Sequence, residues 1–121
     1  MNVYSLMKMG LDATELRSRT IAENIANINT PNYKRKYVTF EDSLKDNIDN
    51  AKIELKVDND SVVREDGNNV DLENEKVNQA AATLQYNALV TLTNTKLAMA
   101  KSVISGRYTL QVIGSFFGIN T

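Results

Sequence analysis

The side chains able to do chemistry in this chain are carboxylates, hydroxyls, lysines and arginines, because its 121 residues include neither cysteine nor histidine. Thiol nucleophiles, disulfides, imidazole bases and the usual zinc ligand sets are thereby excluded. The densest run of carboxylates, Asp58 to Glu75, invites a calcium loop. The register refuses it: with Gly67 at the sixth loop position, Val62 and Arg64 stand where oxygen ligands belong. No glycine-rich phosphate loop and no G-x-S-x-G elbow is present. Other carboxylate pairs occur, as in any chain of this charge, and the sequence marks no pocket around them. The expectation is a non-enzyme with no catalytic residue, no cofactor and no bound metal.

Fourteen basic residues against fifteen acidic ones leave a formal net charge of −1. Such a balance draws the chain neither to nucleic acid nor to an anionic membrane. Met1 to Gly10 has no basic stretch followed by an apolar one, so it does not read as a cleaved signal peptide. No run of about 18 apolar residues exists, so the chain is expected not to span a membrane. The lack of cysteine suits a protein that crosses compartments, and it is also what chance produces in a short chain rich in Asn and Lys.

One run is informative as backbone rather than as chemistry. Asn24 to Lys34 reads Asn-Ile-Ala-Asn-Ile-Asn-Thr-Pro-Asn-Tyr-Lys. Pro31 disfavours helical backbone at Thr30 and has no N–H to donate, so a helix arriving here must stop near Asn29. Asn32 is a residue type that can turn through left-handed space. Tyr33 then follows as an anchor, and Lys34-Arg35-Lys36 as a basic cluster. Asn24, Asn27, Thr30, Pro31, Asn32 and Tyr33 are the candidate turn residues.

Three regions must position this turn. From Val3 to Ile28, Leu6, Met9, Ala13, Leu16, Thr20, Ile21, Ile25 and Ile28 recur at three- and four-residue spacing, the seam of an amphipathic helix. The stretch from Tyr33 to Asn69 is dense in charge. Tyr37 to Phe40 fits a short extended piece, Phe40 to Ile48 a helical turn or two, and Ile53 to Val57 alternates like a half-exposed strand. Asp66-Gly67-Asn68-Asn69 is a turn signal. From Asp71 to Ser105 a long helix is expected, about 50 Å at 1.5 Å per residue. Asp71, Glu73 and Glu75 stand at its positive end, Lys96, Lys101 and Arg107 near its negative end, and Gly106 is a candidate C-cap.

No charged residue occurs from Val77 to Thr95. A solvated helix normally carries a charged outer face. Two readings remain: the helix is buried on several sides by other protein, or it has an uncharged but exposed face.

With these residues in view, Asn24 to Lys34 resembles the N-terminal signature of the axial proteins of the bacterial flagellum, in which an Asn-Ile/Leu-Ala-Asn helix end precedes Asn-Thr-Pro-Gly-Tyr. Phe40-Glu41-Asp42-Ser43-Leu44 is similar to the Phe-Glu-x-x-Leu of the proximal-rod subgroup. Asp66 to Glu75, Asp-Gly-Asn-Asn-Val-Asp-Leu-Glu-Asn-Glu, resembles the opening of that subgroup's C-terminal helix. On this resemblance Gly67, Asn68, Val70, Asp71 and Glu73 open the second helix, and Leu84 to Asn87 match its Tyr-rich segment. Two departures stand out: Asn32 replaces the family's usual Gly, and the tail beyond Arg107 has no counterpart.

The resulting expectation is a mainly α fold: two long antiparallel coiled-coil-like helices with a small, partly irregular charged middle containing short strands. Residues 1–30 and 70–107 would form a rod core, 31–69 a projecting turn and middle region, and 108–121 an apolar tail of unassigned role. Gly114 and Gly118 speak against a helix running through that tail. Leu6, Met9, Ala13, Leu16, Ile21, Ile25, Leu84, Tyr86, Asn87, Val90, Thr91, Leu97 and Ile104 are the candidate packing and assembly residues. The resemblance implies a structural rod subunit that passes out by type III export, without a cleaved signal, and transmits torque in the basal body. Its implied partners are copies of itself, other rod proteins, the adaptor between rod and membrane ring, and the export apparatus. No nucleic acid and no small-molecule substrate is implied. The alternatives are a helical-hairpin adaptor or a secreted needle-type subunit outside the flagellum.

Overall fold

The computed structural model describes residues 2–116 and 118, the side chains of 107–113 and 115–116 excepted. The chain divides into two units, 1–89 and 90–121.

In the first unit, helix α1 spans Val3–Ala26. Asn2 caps it, its side-chain oxygen accepting from the Ser5 N–H at 2.8 Å and so pairing one of the helix's orphan donors. At the other end the Asn27 N–H is shared between the carbonyls of Glu23 and Asn24, at 3.1 and 3.2 Å, and the helix closes. Two residues beyond Thr30, Asn32 takes φ 61°, and the chain reverses.

Strands β1 (Lys36–Thr39) and β2 (Glu54–Val57) follow, joined through the short helix α2 (Glu41–Asp46) and a 3-10 turn at Ile48–Asn50. The strands pair antiparallel with Lys36 opposite Val57 and Val38 opposite Leu55. Two strands alone are marginal in water. Here they rest on α1, with Val38 and Phe40 among the buried apolar side chains.

Helix α3 spans Leu72–Phe116, opening in the first unit and ending in the second. Within the first unit its contacts with α1 come in reversed sequence order. Gln79 Nε2 donates to Ser18 Oγ at 2.7 Å, Arg17 Nη1 donates to Gln85 Oε1 at 3.0 Å, and a β-carbon at Gly10 would stand 3.2 Å from a Leu89 methyl. Over this stretch the two helices run in opposite senses. Among the described residues the apolar core is small: Met7, Ala13, Ile21, Val38, Phe40, Val70 and Ala82.

The face α1 buries shares Ala13, Thr20 and Ile21 with the apolar seam and is turned from it by about 40°, less than half a residue. Its buried positions are Met7, Gly10, Ala13, Thr14, Thr20, Ile21 and Asn24, while Leu6, Met9, Leu16 and Ile25 are half-buried. At Gly10 a Leu89 methyl stands where a β-carbon would crowd it, and Thr14 and Thr20 can be buried because their hydroxyls bond the carbonyls of Gly10 and Leu16.

In the second unit α3 does not stop at Gly106 but continues to Phe116. One glycine costs a helix only about 1 kcal/mol against alanine, which its flanking residues offset. The backbone is therefore helical past Gly114 too, against the sequence expectation. The apolar tail side chains Val112, Ile113 and Phe116, and the whole of Phe117 and Ile119, lie outside the described residues. Leu92, Leu97, Met99, Val103 and Ile104 of this unit are exposed. Among the described residues no helix is long and apolar enough to cross a membrane.

Candidate functional site

The two sequence motifs, distant along the chain, meet in space as one polar clasp. Asn24, wholly buried on the last turn of α1, is its hub. The Asn24 amide nitrogen donates to the Lys36 carbonyl at 2.8 Å, and its oxygen accepts from the Lys36 N–H at 2.9 Å. That oxygen also accepts from the Tyr33 hydroxyl at 3.1 Å. A single side chain thus closes the outer edge of β1 and fixes Tyr33, whose phenol is pushed above its ordinary pKa by burial and by the carboxylates of Glu23 and Glu75, Lys36 opposing.

Glu75, on the first turns of α3, is also fully buried. It accepts from Arg35 Nε at 2.8 Å and lies 3.4 Å from the Asn24 amide nitrogen. Arg35 in turn reaches Asp58 at 3.2 Å. Burial works against the charged guanidinium, but its bonds to Glu75 and Asp58 outweigh this and hold its pKa above the ordinary value. A buried ion pair of this kind is strongly destabilising to break from one side, about 3–5 kcal/mol, because the other charge is left unpaired. Glu75 is therefore not a solvated carboxylate facing the helix dipole, as its place in the sequence suggests.

Asn69 and Asn68 complete the clasp. Asn69 Oδ1 accepts from the Arg35 N–H at 2.6 Å, and its amide nitrogen donates to the Asp58 carbonyl at 2.7 Å. Asn68, wholly buried, donates to the carbonyls of Asn27, Ile28 and Thr30 at 2.8, 3.1 and 2.9 Å. These carbonyls lie just past the end of α1, where those of Asn27 and Thr30 also accept from the Thr30 and Tyr33 N–H groups at 3.0 and 3.3 Å. Arg64 also reaches the Ile28 carbonyl, and Lys34 the Gly67 carbonyl. The basic cluster Lys34-Arg35-Lys36 is thus turned inward, with Lys36 on Glu23 at 3.4 Å.

The remaining sequence-selected residues fall into two sets. Of the turn set, Asn24 is buried, Asn27 and Tyr33 are half-buried, and Thr30, Pro31 and Asn32 are exposed. Asn27 holds the Thr30 hydroxyl at 3.1 Å, and the Asn32 N–H bonds the Asp66 carbonyl at 2.8 Å. Of the helix-opening set, Val70 is buried, Asp71 caps α3 by accepting from the Glu73 and Asn74 N–H groups at 3.0 and 3.3 Å, and Glu73 is exposed. Gly67 takes φ 82° against Asn32. The packing set separates: Ala13 and Ile21 are buried, while Leu84, Tyr86, Asn87, Thr91, Leu97 and Ile104 are exposed and Val90 half-buried.

Arg35, Asp58, Asn69 and Glu75 are the members that sequence reasoning missed as a group. The available signal was a basic triplet directly after one motif and a Glu closing the other. Among the described residues no acidic cluster could hold a metal ion. The arrangement is a structural joint, with its charges spent on each other.

A family model described as flagella basal body rod protein matches residues 9–34, the stretch holding most of α1 and the turn. The flagellar basal body rod protein FlgB of Bacillus subtilis (strain 168) is 30% identical over 119 residues, covering 83% of this chain and 91% of its own. The protein of the same name from Borrelia hermsii is 36% identical over 94 residues, covering 56% of this chain and 70% of its own. Covering 83% of the chain, the Bacillus match takes in both motifs, and the chain belongs to the FlgB family of flagellar basal body rod proteins.

Proposed function

We propose that the chain is a structural subunit of the proximal rod of the flagellar basal body, which assembles with copies of itself and other rod proteins through α1 and α3. Its family is a structural one and not an enzyme family. One observation supports the assembly surface. Val77, Ala80, Ala81, Leu84 and Ala88 of the first unit are all exposed, Val77 by 66% and Leu84 by 73%. At about 100° per residue they lie on the side of α3 opposite Glu75, Gln79 and Ala82, which face α1. That second side carries apolar groups and no charge, a composition suited to burial against a neighbouring subunit.

In this reading residues 1–30 and 70–107 form the rod core with coiled-coil-like contacts, residues 31–69 project, and 108–121 remain unassigned. Export by the type III apparatus without a cleaved signal, contact with the rod-to-ring adaptor and torque transmission belong to the same reading. Leu84→Glu tests it. At an exposed site the substitution should leave the isolated protein's circular dichroism unchanged. In cells it should abolish rod incorporation and motility, because a buried unpaired charge is costly. Wild-type motility of the variant would overturn the assignment.

A further inference from the structure

The two-stranded sheet has one closed edge and one open edge. On the β1 side, Asn24 occupies both backbone groups of Lys36, and Arg17 Nη2 reaches the Val38 carbonyl at 3.3 Å. On the β2 side there is no such cover. The register, with the Asp58 N–H bonded to the Arg35 carbonyl at 2.9 Å, points the backbone groups of Glu54 and Lys56 toward β1 and those of Leu55 and Val57 outward. Among the described residues no group bonds these outward donors and acceptors. The side chains there are half exposed, Leu55 by 51% and Val57 by 49%. An open apolar edge is a template for another strand.

The order of residues along this edge selects the strand. Ile53-Glu54-Leu55-Lys56-Val57 is symmetric about Leu55 in polarity and antisymmetric in charge. Let a second copy lie antiparallel with Leu55 opposite its own Leu55. Outward backbone groups then meet outward backbone groups, Ile53 stands opposite Val57, and Glu54 stands opposite Lys56 in both directions. Sliding by two residues one way puts Lys56 opposite Lys56 and Glu54 opposite Asp58. Sliding the other way puts Glu54 opposite Glu54 and Lys52 opposite Lys56. Directly opposed like charges are unfavourable, so one register is singled out.

We propose that the unassembled protein recognises a second copy of itself through β2, in antiparallel pairing centred on Leu55. The contact is two-fold and closes after two copies, whereas a filament needs head-to-tail contacts. It is therefore a form of the protein outside the rod, and it leaves the uncharged side of α3 free.

Charge reversal in the purified full chain tests this by sedimentation. Glu54 also pairs within its own chain, with Lys52 at 2.8 Å and Lys56 at 3.7 Å, but these are exposed pairs worth little to the fold, so single reversals should keep the wild-type circular dichroism. Glu54→Lys sets Lys against Lys, and Lys56→Glu sets Glu against Glu. Each should weaken self-association by about tenfold or more, two pairs being reversed per contact. An equimolar mixture of the two variants should regain wild-type association, since each now complements the other. A wild-type chain that stays monomeric at high concentration, single variants that associate like wild type, or a mixture of folded variants that fails to associate would each overturn the proposal.

Discussion

The side-chain nitrogen of Asn68 lies 2.8 Å from the carbonyl oxygen of Asn27, the residue that closes α1. The first helix is therefore finished by a donor that arrives forty-one residues later in the chain. Local C-caps supply such donors from the next turn of backbone. Here one amide group serves the Ile28 and Thr30 carbonyls too, at 3.1 and 2.9 Å, while its oxygen accepts from the Val70 N–H at 2.8 Å. The end of α1 and the approach to α3 are thus a single structural event, and neither motif can take its shape without the other.

Asn68→Ala should accordingly destabilise the protein by about 1–3 kcal/mol, chiefly because the buried Val70 N–H loses its acceptor, while the three carbonyls keep bonds from Thr30, Arg64 and Tyr33. Asn68→Asp should be worse, because it removes the donor and sets a negative charge against the carbonyls. The check is the urea midpoint followed by circular dichroism, with amide exchange to localise the loss. Faster exchange should concentrate in the last turns of α1. A midpoint equal to wild type for Asn68→Ala would mean that water replaces the amide at little cost.

The local half of this architecture was legible in the sequence, and the long-range half was not. Periodicity and Pro31 bound α1, and the alternation from Ile53 to Val57 shows a strand, because both are properties of neighbouring residues. The buried face of α1 was legible in part: Ala13, Thr20 and Ile21 of the apolar seam are buried, Leu6, Met9, Leu16 and Ile25 are half-buried, and Gly10, Thr14 and Asn24 fill buried places that hydrophobicity does not mark. The continuation past Gly106 was missed because a single glycine is a weak breaker inside a long hydrogen-bonded helix. The basic triplet and the Glu that closes the second motif were visible, but nothing joined Arg35 to Glu75, because partners forty residues apart share no spacing rule.

Asn32 and Gly67 should prove coupled. Both have positive φ, 61° and 82°, and a β-carbon on Gly67 would stand 2.3 Å from Asn32 Oδ1. Gly67→Ala therefore meets a collision as well as the usual cost of about 1–2 kcal/mol for a non-glycine residue in this region. Asn32→Gly should be nearly neutral alone and should recover part of the loss in the double variant. A double-mutant cycle on urea midpoints measures the coupling. Asn32→Val should be the most damaging change at that position, because a β-branched residue resists positive φ. Strict additivity of Gly67→Ala and Asn32→Gly would show that the Asn32 side chain simply swings away.

Stability should fall on both sides of neutral pH. Asp58 is held well below the ordinary carboxylate range, first by the Ser61 hydroxyl at 2.5 Å, then, against burial, by the Ser61 and Asp60 N–H groups at 3.0 Å and by Arg35. Glu41 is also lowered: burial raises it, but the Arg17 guanidinium at 2.9 Å and nearby N–H groups prevail. A depressed carboxylate stabilises the fold above its unfolded pKa, near 4, and that contribution drains away as pH falls toward the native value. For Asp58 the loss should continue into strong acid. Tyr33 acts at the opposite limit, since a raised phenol pKa gives stability present below about pH 10 and lost as the pH climbs past it. Thermal midpoints should thus be flat from about pH 5 to about pH 9 and decline outside that window. Asp58→Asn should lower the plateau and flatten the acid limb, because the group that titrates there is gone. An acid limb of undiminished slope in Asp58→Asn would assign the acid loss to other carboxylates, with Glu41→Gln the next variant to measure.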